Sequence, residues 1–213
     1  RINLMNTENL EKKKTIKDFL KSNLKIFSII FFILILLGIF FLWLDYTKKT
    51  KKINISQDFI DAKVLLSENN KKESLEILTN IINKKDKTYS PLSLYLMIDK
   101  KLVDNPNLIN EYFDVVISIG GLEKEDLNLL KLKKAIHTSQ NSDENELLDL
   151  LNPIINSKSV WRAQSIEFIG DYYFSKKQYK KAEQYYSQLL NDVENSGYDV
   201  GDLKRKMKII KND

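Results

Sequence analysis

Residues 161–192 read WRAQSIEFIGDYYFSKKQYKKAEQYYSQLLND, and this stretch decides the fold. Gly170 precedes Ala182 by twelve residues, a spacing that puts small side chains at matching positions of two consecutive helices. Small residues there let the helices of a hairpin approach closely, while aromatic residues fill the groove between hairpins. The stretch therefore predicts a helical hairpin. Its predicted packing residues are Gly170, Tyr173, Tyr179, Ala182 and Tyr186.

This hairpin resembles a tetratricopeptide repeat. In that family a small residue, an aromatic residue, an alanine and a second aromatic residue stand where Gly170, Tyr173, Ala182 and Tyr186 stand here. The sequence departs from the family at the usual turn glycine, the position of Lys177, and at the usual closing proline, the position of 194. The resemblance implies a stack of helical hairpins.

The twelve-residue step recurs upstream. Ala62 and Ser74 repeat it with small residues, and the pairs 96/108 and 135/147 repeat it with apolar ones, Ala135 among them. The starting positions 62, 96, 135 and 170 are 34, 39 and 35 residues apart, close to the tetratricopeptide period of about 34. Apolar residues recur every three or four positions, and strand-like alternation never persists. We therefore predict an all-α domain over residues 55–213, with a non-repeat helical bundle as the alternative.

Before this domain, residues 26–44 read IFSIIFFILILLGIFFLWL without a charge. As a helix these nineteen residues span about 28 Å, nearly the thickness of a bilayer core. A buried core helix usually keeps a polar face, and a signal peptide ends in a small-residue cleavage site, whereas charged residues follow this segment directly. The segment therefore predicts one transmembrane helix in contact with membrane lipid. Its marker residues are Ile26, Leu34, Gly38, Trp43 and Leu44.

Lysines on the two sides of this segment predict its orientation. Six lysines precede it and four follow it closely, a bias that favours an N-terminus inside and a C-terminal domain outside the cytoplasm. We therefore divide the chain into a cytoplasmic basic segment at 1–25, a transmembrane helix at 26–44, a linker at 45–54 and an outer domain at 55–213.

The composition excludes several kinds of chemistry. The chain has no Cys and a single histidine, His137, which excludes thiolate sites and sites with two His ligands. Residues 1–52 carry a net charge of +7 and residues 53–213 a net charge of −2, so the domain lacks the basic surface of a nucleic-acid-binding protein. We predict no catalytic residue, no metal, no cofactor and no small-molecule substrate. An enzyme using paired carboxylates is the alternative of a different class.

Four aromatic or basic residues are candidate partner contacts. Trp161 and Arg162 are of the residue types that dominate binding hot spots, and Tyr172 and Tyr185 stand beside the packing positions. The alternative is structural: Trp161 packs between the last two hairpins, and Arg162 caps a helix or pairs locally.

The order of a basic N-terminus, one anchor and helical hairpins resembles the bacterial ancillary subunit of the SecYEG translocon, a family of inner-membrane proteins with a tetratricopeptide-like domain. The segment VWRA at 160–163, followed by Gly170, Asp171, Tyr172 and Ala182, carries the resemblance, with Val160 at a position where the family usually has proline. The resemblance implies a non-enzymatic periplasmic module that contacts translocon subunits and the chaperones of exported proteins. The alternative is a scaffold or assembly factor for another cell-envelope complex, such as one for cytochrome maturation or cell division.

Overall fold

A computed structural model describes residue 19 and residues 21–140, 142–193 and 198–211, and these residues form helices and turns with no strand. Most of the predicted basic segment at 1–25, and residue 194, lie outside the described residues. The helices are α1 (Leu24–Ser67), α2 (Lys71–Asn83), α3 (Tyr89–Asp99), α4 (Pro106–Ile117), α5 (Lys124–Thr138), α6 (Glu144–Ile155), α7 (Arg162–Ser175), α8 (Tyr179–Val193) and α9 (Gly201–Ile210).

The chain divides into two compact units, Arg1–Asn54 and Ile55–Asp213. The described part of the first unit is chiefly the apolar portion of α1. By length and composition α1 is a candidate membrane span, and none of its most apolar window is buried in protein. The marker residues Ile26, Leu34 and Trp43 are exposed, and Leu44 is partly exposed. Apart from its chain neighbours and the backbone of its own helix, no described atom lies within 4 Å of a Cβ built on Gly38.

The helix continues through residues 45–54, the segment that we assigned as a linker. Local bonds support it there. Lys49 pairs with Asp45 at 2.8 Å one turn away, and the hydroxyls of Thr47 and Thr50 donate to the carbonyls of Leu44 and Tyr46 at 2.9 and 3.0 Å. A basic composition is therefore compatible with a helix in this segment, where one ion pair and two hydroxyl-to-carbonyl bonds run along the axis.

The second unit is a series of four helical hairpins followed by α9. The paired helices are residues 55–67 of α1 with α2, α3 with α4, α5 with α6, and α7 with α8. Side-chain caps begin several of them: Asn70 accepts from the amide of Glu73 before α2, and Asp143 accepts from the amide of Glu146 at 2.8 Å before α6. The acidic residues at these helix starts therefore have a structural role as caps and as complements to the helix dipole.

Small residues stand where the helices of a hairpin meet. In the first hairpin the Ser74 hydroxyl donates to the carbonyl of Ala62 at 2.9 Å, across the twelve-residue step. Ala135, Gly170 and Ala182 are also buried. In the second hairpin the buried residues at this step are Met97 and Ile109, one position later than the pair 96/108. A contact across the step is therefore seen between Ala62 and Ser74, and in the second hairpin burial falls one residue after the predicted positions.

The packing forms two hydrophobic cores. The first core runs from Ile55 to Leu130 and the second from Leu132 to Leu203, so that α5 contributes to both. Tyr173 and Tyr186 are the largest side chains fully buried in the second core, and Tyr179 is half-buried at its edge against the ring of Phe174. The aromatic residues of the last hairpin are therefore mostly core residues.

The closest approach in the last hairpin is at Gly170. A Cβ atom built on Gly170 would lie 2.6 Å from Cε1 of Tyr186 and 2.8 Å from its Cδ1. Tyr186 cannot swing away freely, because it is fully buried and its hydroxyl donates to Asp171 at 2.6 Å. A side chain at position 170 is therefore incompatible with this hairpin.

Replacing Gly170 with Leu is expected to overpack this contact and to lower the free energy of unfolding by about 1–3 kcal/mol. Denaturant titration of the full chain, followed by circular dichroism, measures the change. Gly120→Ala is the matched control, because a Cβ at Gly120 meets no atom within 4 Å. Equal stability of the Gly170 variant and the parent would contradict the assigned contact.

Candidate partner-binding clefts

Surface clefts lie between consecutive odd-numbered helices, the first helices of the hairpins. One lies between α1 and α3, two lie between α3 and α5, and one lies between the end of α5 and α7. The even-numbered helices contribute little to their walls. The first helices of the hairpins therefore form one face that carries all four clefts, and we call it the odd-helix face.

A cleft of about 310 Å³ between α3 and α5 has four large apolar or aromatic side chains in its wall, and we call it the apolar cleft. Tyr95 and Ile98 come from α3, Phe113 from α4 and Ile136 from α5. Lys133 places its Nζ atom 5.0 Å from the centre of the Tyr95 ring. Burial, with a smaller contribution from the Asp126 carboxylate, raises the pKa of Tyr95 to about 12, so the Tyr95 phenol is uncharged at neutral pH, whereas Asp99 and Lys133 bring charged groups to the rim of the cleft.

His137 also lines the apolar cleft, and its ring centre lies 6.0 Å from that of Phe113. Its Nε2 atom is buried and has no hydrogen-bond partner among the described residues. Burial of the imidazole lowers the pKa of His137 below its usual value. The histidine is therefore neutral at pH 7 and adds to the apolar character of the wall.

The cleft between α1 and α3 is basic, and we call it the basic cleft. Lys63, Lys71 and Lys100 line it together with Leu66 and Leu96, and no carboxylate is among its lining residues. Its volume is about 340 Å³. Lys100 pairs with Asp99 at 2.9 Å on the surface. Lys63 and Lys71 belong to the first hairpin and Lys100 follows the first helix of the second, so the stacking of these two hairpins brings Lys100 to the other two lysines.

Trp161 and Arg162 make contacts inside the domain. The indole N–H of Trp161 donates to the carbonyl of Glu125 at 3.0 Å. Arg162 pairs with Asp192 at 2.7 Å and also donates to the carbonyl of Ile155, the last residue of α6. These contacts favour the structural alternative for both residues, and their use as partner contacts stays a prediction.

The same junction holds Glu125, which accepts from the Ser159 hydroxyl at 2.6 Å and from the amide of Val160 at 3.1 Å. Chiefly because Ser159 donates to it, the pKa of the Glu125 carboxyl lies below its usual value. Glu125 thus joins the start of α5 to the turn before α7.

Tyr172 and Tyr185 differ in their surroundings. Tyr185 stacks on Tyr173, with ring centres 5.6 Å apart and an interplanar angle of 16°, within the packing of the last hairpin. Tyr172 is half-buried, lines the cleft between α5 and α7, and has the Nζ atom of Lys176 5.7 Å from its ring centre. Of the two tyrosines, Tyr172 is the one on the odd-helix face.

Hydrogen bonds tie the last hairpin to its neighbours. Glu144 accepts from the Tyr173 hydroxyl at 2.8 Å and from Lys181 at 2.6 Å, and these two donors, Lys181 first, lower the pKa of its carboxyl. Asp171 accepts from Tyr186 and from Lys206 of α9, both at 2.6 Å. These carboxylates are occupied by structural donors.

The described residues contain no group of three His, Cys, Asp or Glu side chains arranged to hold a metal ion. The clefts, by contrast, bring together residues that sequence reasoning did not group. Lys63, Lys71 and Lys100 were not singled out from the sequence, and His137 served there only to exclude sites with two His ligands. No signal in one sequence links the three lysines, since the contact depends on how the first two hairpins stack.

Comparison with known proteins bears on the fold. No protein-family model matches the chain, and no curated protein matches it. Two solved structures are similar: a Podosopora anserina putative kinesin light chain with nearly identical TPR-like repeats, and a variant of that protein. Each has a TM-score of 0.52 and matches 75% of this chain. The first is 14% identical and is covered over 86% of its length, and the variant is 12% identical and is covered over 85%. The predicted all-α array of tetratricopeptide-like (TPR-like) hairpins is thereby confirmed.

Stability should depend on pH through His137. Since its pKa is lowered in the folded chain, the unfolded chain binds more protons as the pH falls through about 6.5, and stability decreases there. His137→Gln is expected to remove this loss, so the melting temperatures of parent and variant should diverge between pH 7.5 and pH 5. Carboxylates such as Glu144 titrate below this window. If the melting temperatures of the parent and the variant change equally between pH 7.5 and pH 5, His137 does not cause this pH dependence.

Proposed function

We propose that this chain is a non-enzymatic, membrane-anchored module that binds protein partners through the odd-helix face. The observation that carries the proposal is the alignment of four clefts along the first helices of a TPR-like array. Stacked hairpins create extended surfaces that suit polypeptides rather than small substrates. Exposed apolar residues on this face, Leu92 and Ile136, supply contact area.

In this proposal residues 26–44 span the inner membrane of a bacterium, residues 1–25 lie in the cytoplasm and residues 55–213 lie in the periplasm, after a connecting segment at 45–54. The apolar character of α1 and the excess of lysines before it support this arrangement. Lysines on both flanks also attract anionic lipid headgroups. The positive charge of the chain therefore serves the anchor, and the domain remains nearly neutral.

The partners that we propose are subunits of the Sec translocon and periplasmic chaperones that act on exported proteins. Support comes from the order of basic segment, anchor and hairpins, and from the segment at 160–163 that resembles the translocon's ancillary subunit. A scaffold for another envelope complex would use the same face, so the identity of the captured proteins separates the two.

Topology gives one test. A reporter fused after Asp213 should be active when it is an enzyme that works only outside the cytoplasm, and inactive when it is one that works only inside. The same two reporters fused after residue 21, ahead of the anchor, should give the reverse result. Activity of the cytoplasmic reporter at the C-terminus would refute the orientation.

Photo-crosslinking tests the binding face. A photoreactive residue at Leu92 or Ile136, both exposed on the odd-helix face, should capture translocon subunits or periplasmic chaperones in intact cells. The matched control is Asn152, an exposed position on the even-numbered helix α6, which should capture little. Capture of a different envelope complex would replace the proposed partners, and equal capture at Asn152 would contradict the proposed face.

A further inference from the structure

The apolar cleft and the basic cleft share one wall, helix α3. Tyr95, Ile98 and Asp99 of α3 line the apolar cleft, whereas Leu96 and Lys100 line the basic cleft. Neighbouring positions on a helix differ by about 100° in direction, so these two sets face opposite sides of one ridge. A single ligand lying across α3 can reach both clefts.

The apolar cleft suits one large side chain. Its volume of about 310 Å³ is at the lower end of the range for ligand pockets, about 300–1,000 Å³. A tyrosine, two isoleucines and a phenylalanine make up most of its wall, and Asp99, Lys133 and His137 complete it. Half of the Ile136 side chain is exposed, at 50%, so apolar surface there remains to be covered. An aromatic or long aliphatic side chain in this cleft removes that apolar surface from water, which is favourable.

The basic cleft favours a negatively charged group. Three lysines line it without a carboxylate, although residues 53–213 as a whole carry a net charge of −2. Lys63 and Lys71 have no ion pair within the part of the chain that the structure describes. The three ammonium groups repel one another, and an anionic group bound between them relieves that repulsion. The same positive field steers an anionic partner toward the cleft.

We propose that the odd-helix face binds an extended acidic segment of a protein partner, with a large apolar side chain in the apolar cleft and a carboxylate in the basic cleft. A helix is about 10 Å across and an extended chain advances about 3.3 Å per residue, which sets the two anchors about three residues apart. The inference rests on the proposed function and names the chemistry of the segment that the face selects.

Synthetic peptides test this spacing and chemistry. The probe is a fluorescein-labelled Gly/Ser peptide with Phe followed three residues later by two Glu, titrated with the purified full chain in detergent micelles. Three peptides of equal length serve as comparisons: one with Lys for Glu, one with Ser for Phe, and one with the Glu pair ten residues from Phe. The probe should bind at least about tenfold more tightly than each of them, a difference of about 1.4 kcal/mol.

Variants locate the binding site. Lys63→Glu combined with Lys71→Glu should weaken binding of the probe at least about tenfold, and so should Ile136→Asp. The matched controls lie on α9. Lys204→Glu combined with Lys208→Glu makes the same charge change as the double lysine variant of the cleft. Ile209→Asp matches Ile136→Asp, because both isoleucines are 50% exposed. The controls should bind as the parent does, and circular dichroism should show equal folding of all four.

Equal binding of the Lys-containing peptide, absence of binding by the probe, or insensitivity to the cleft variants would overturn the inference. Photo-crosslinking at Leu92 and Ile136 separates this failure from failure of the proposed function. If the probe fails but those positions still capture envelope proteins, only the acidic-segment chemistry is wrong. If neither the probe nor any protein is bound there, the proposed function fails as well.

Discussion

The close approach of two helices at small residues is the contact on which the rest of the structure depends. Ser74 reaches the carbonyl of Ala62 across the first hairpin, and in the last hairpin Gly170 leaves room for the buried ring of Tyr186. Each hairpin alone would expose its apolar faces, so the hairpins stack, and the stack aligns the first helices on one side. The clefts exist because that alignment leaves spaces between helices that do not pair with each other.

The sequence predicted the helical hairpins well because their signal is local. Spacing of small and apolar residues within about thirty positions identifies a hairpin, although in the second hairpin the buried residues twelve apart are Met97 and Ile109 rather than Leu96 and Leu108. Leu96 lies instead in the basic cleft. Both residues are apolar, so a pattern of types cannot separate them by one position. The direction of each side chain in the stacked array is what distinguishes the buried Met97 from Leu96 in the cleft.

Other features depended on contacts between distant segments and were not predictable in this way. The basic cleft joins Lys63 and Lys71 to Lys100, and the contacts of Trp161 and Arg162 reach back to Glu125 and across to Asp192. Lys177, which stands at the family's turn glycine, adopts the left-handed backbone conformation with φ of 57°, so the turn keeps its geometry at a conformational cost of about 1–2 kcal/mol. The fold thus tolerates departures at single positions when surrounding hydrogen bonds fix the backbone.

The two hydrophobic cores meet within one helix, with Leu130 of α5 in the first and Leu132 in the second. In a linear array each hairpin is stabilised mainly by its neighbours, so cooperativity passes along the chain through such shared helices. Helix α5 therefore transmits loss of order in one core directly to the other. If the two halves melt separately, the apolar cleft, whose walls include α5, would mark the border between them.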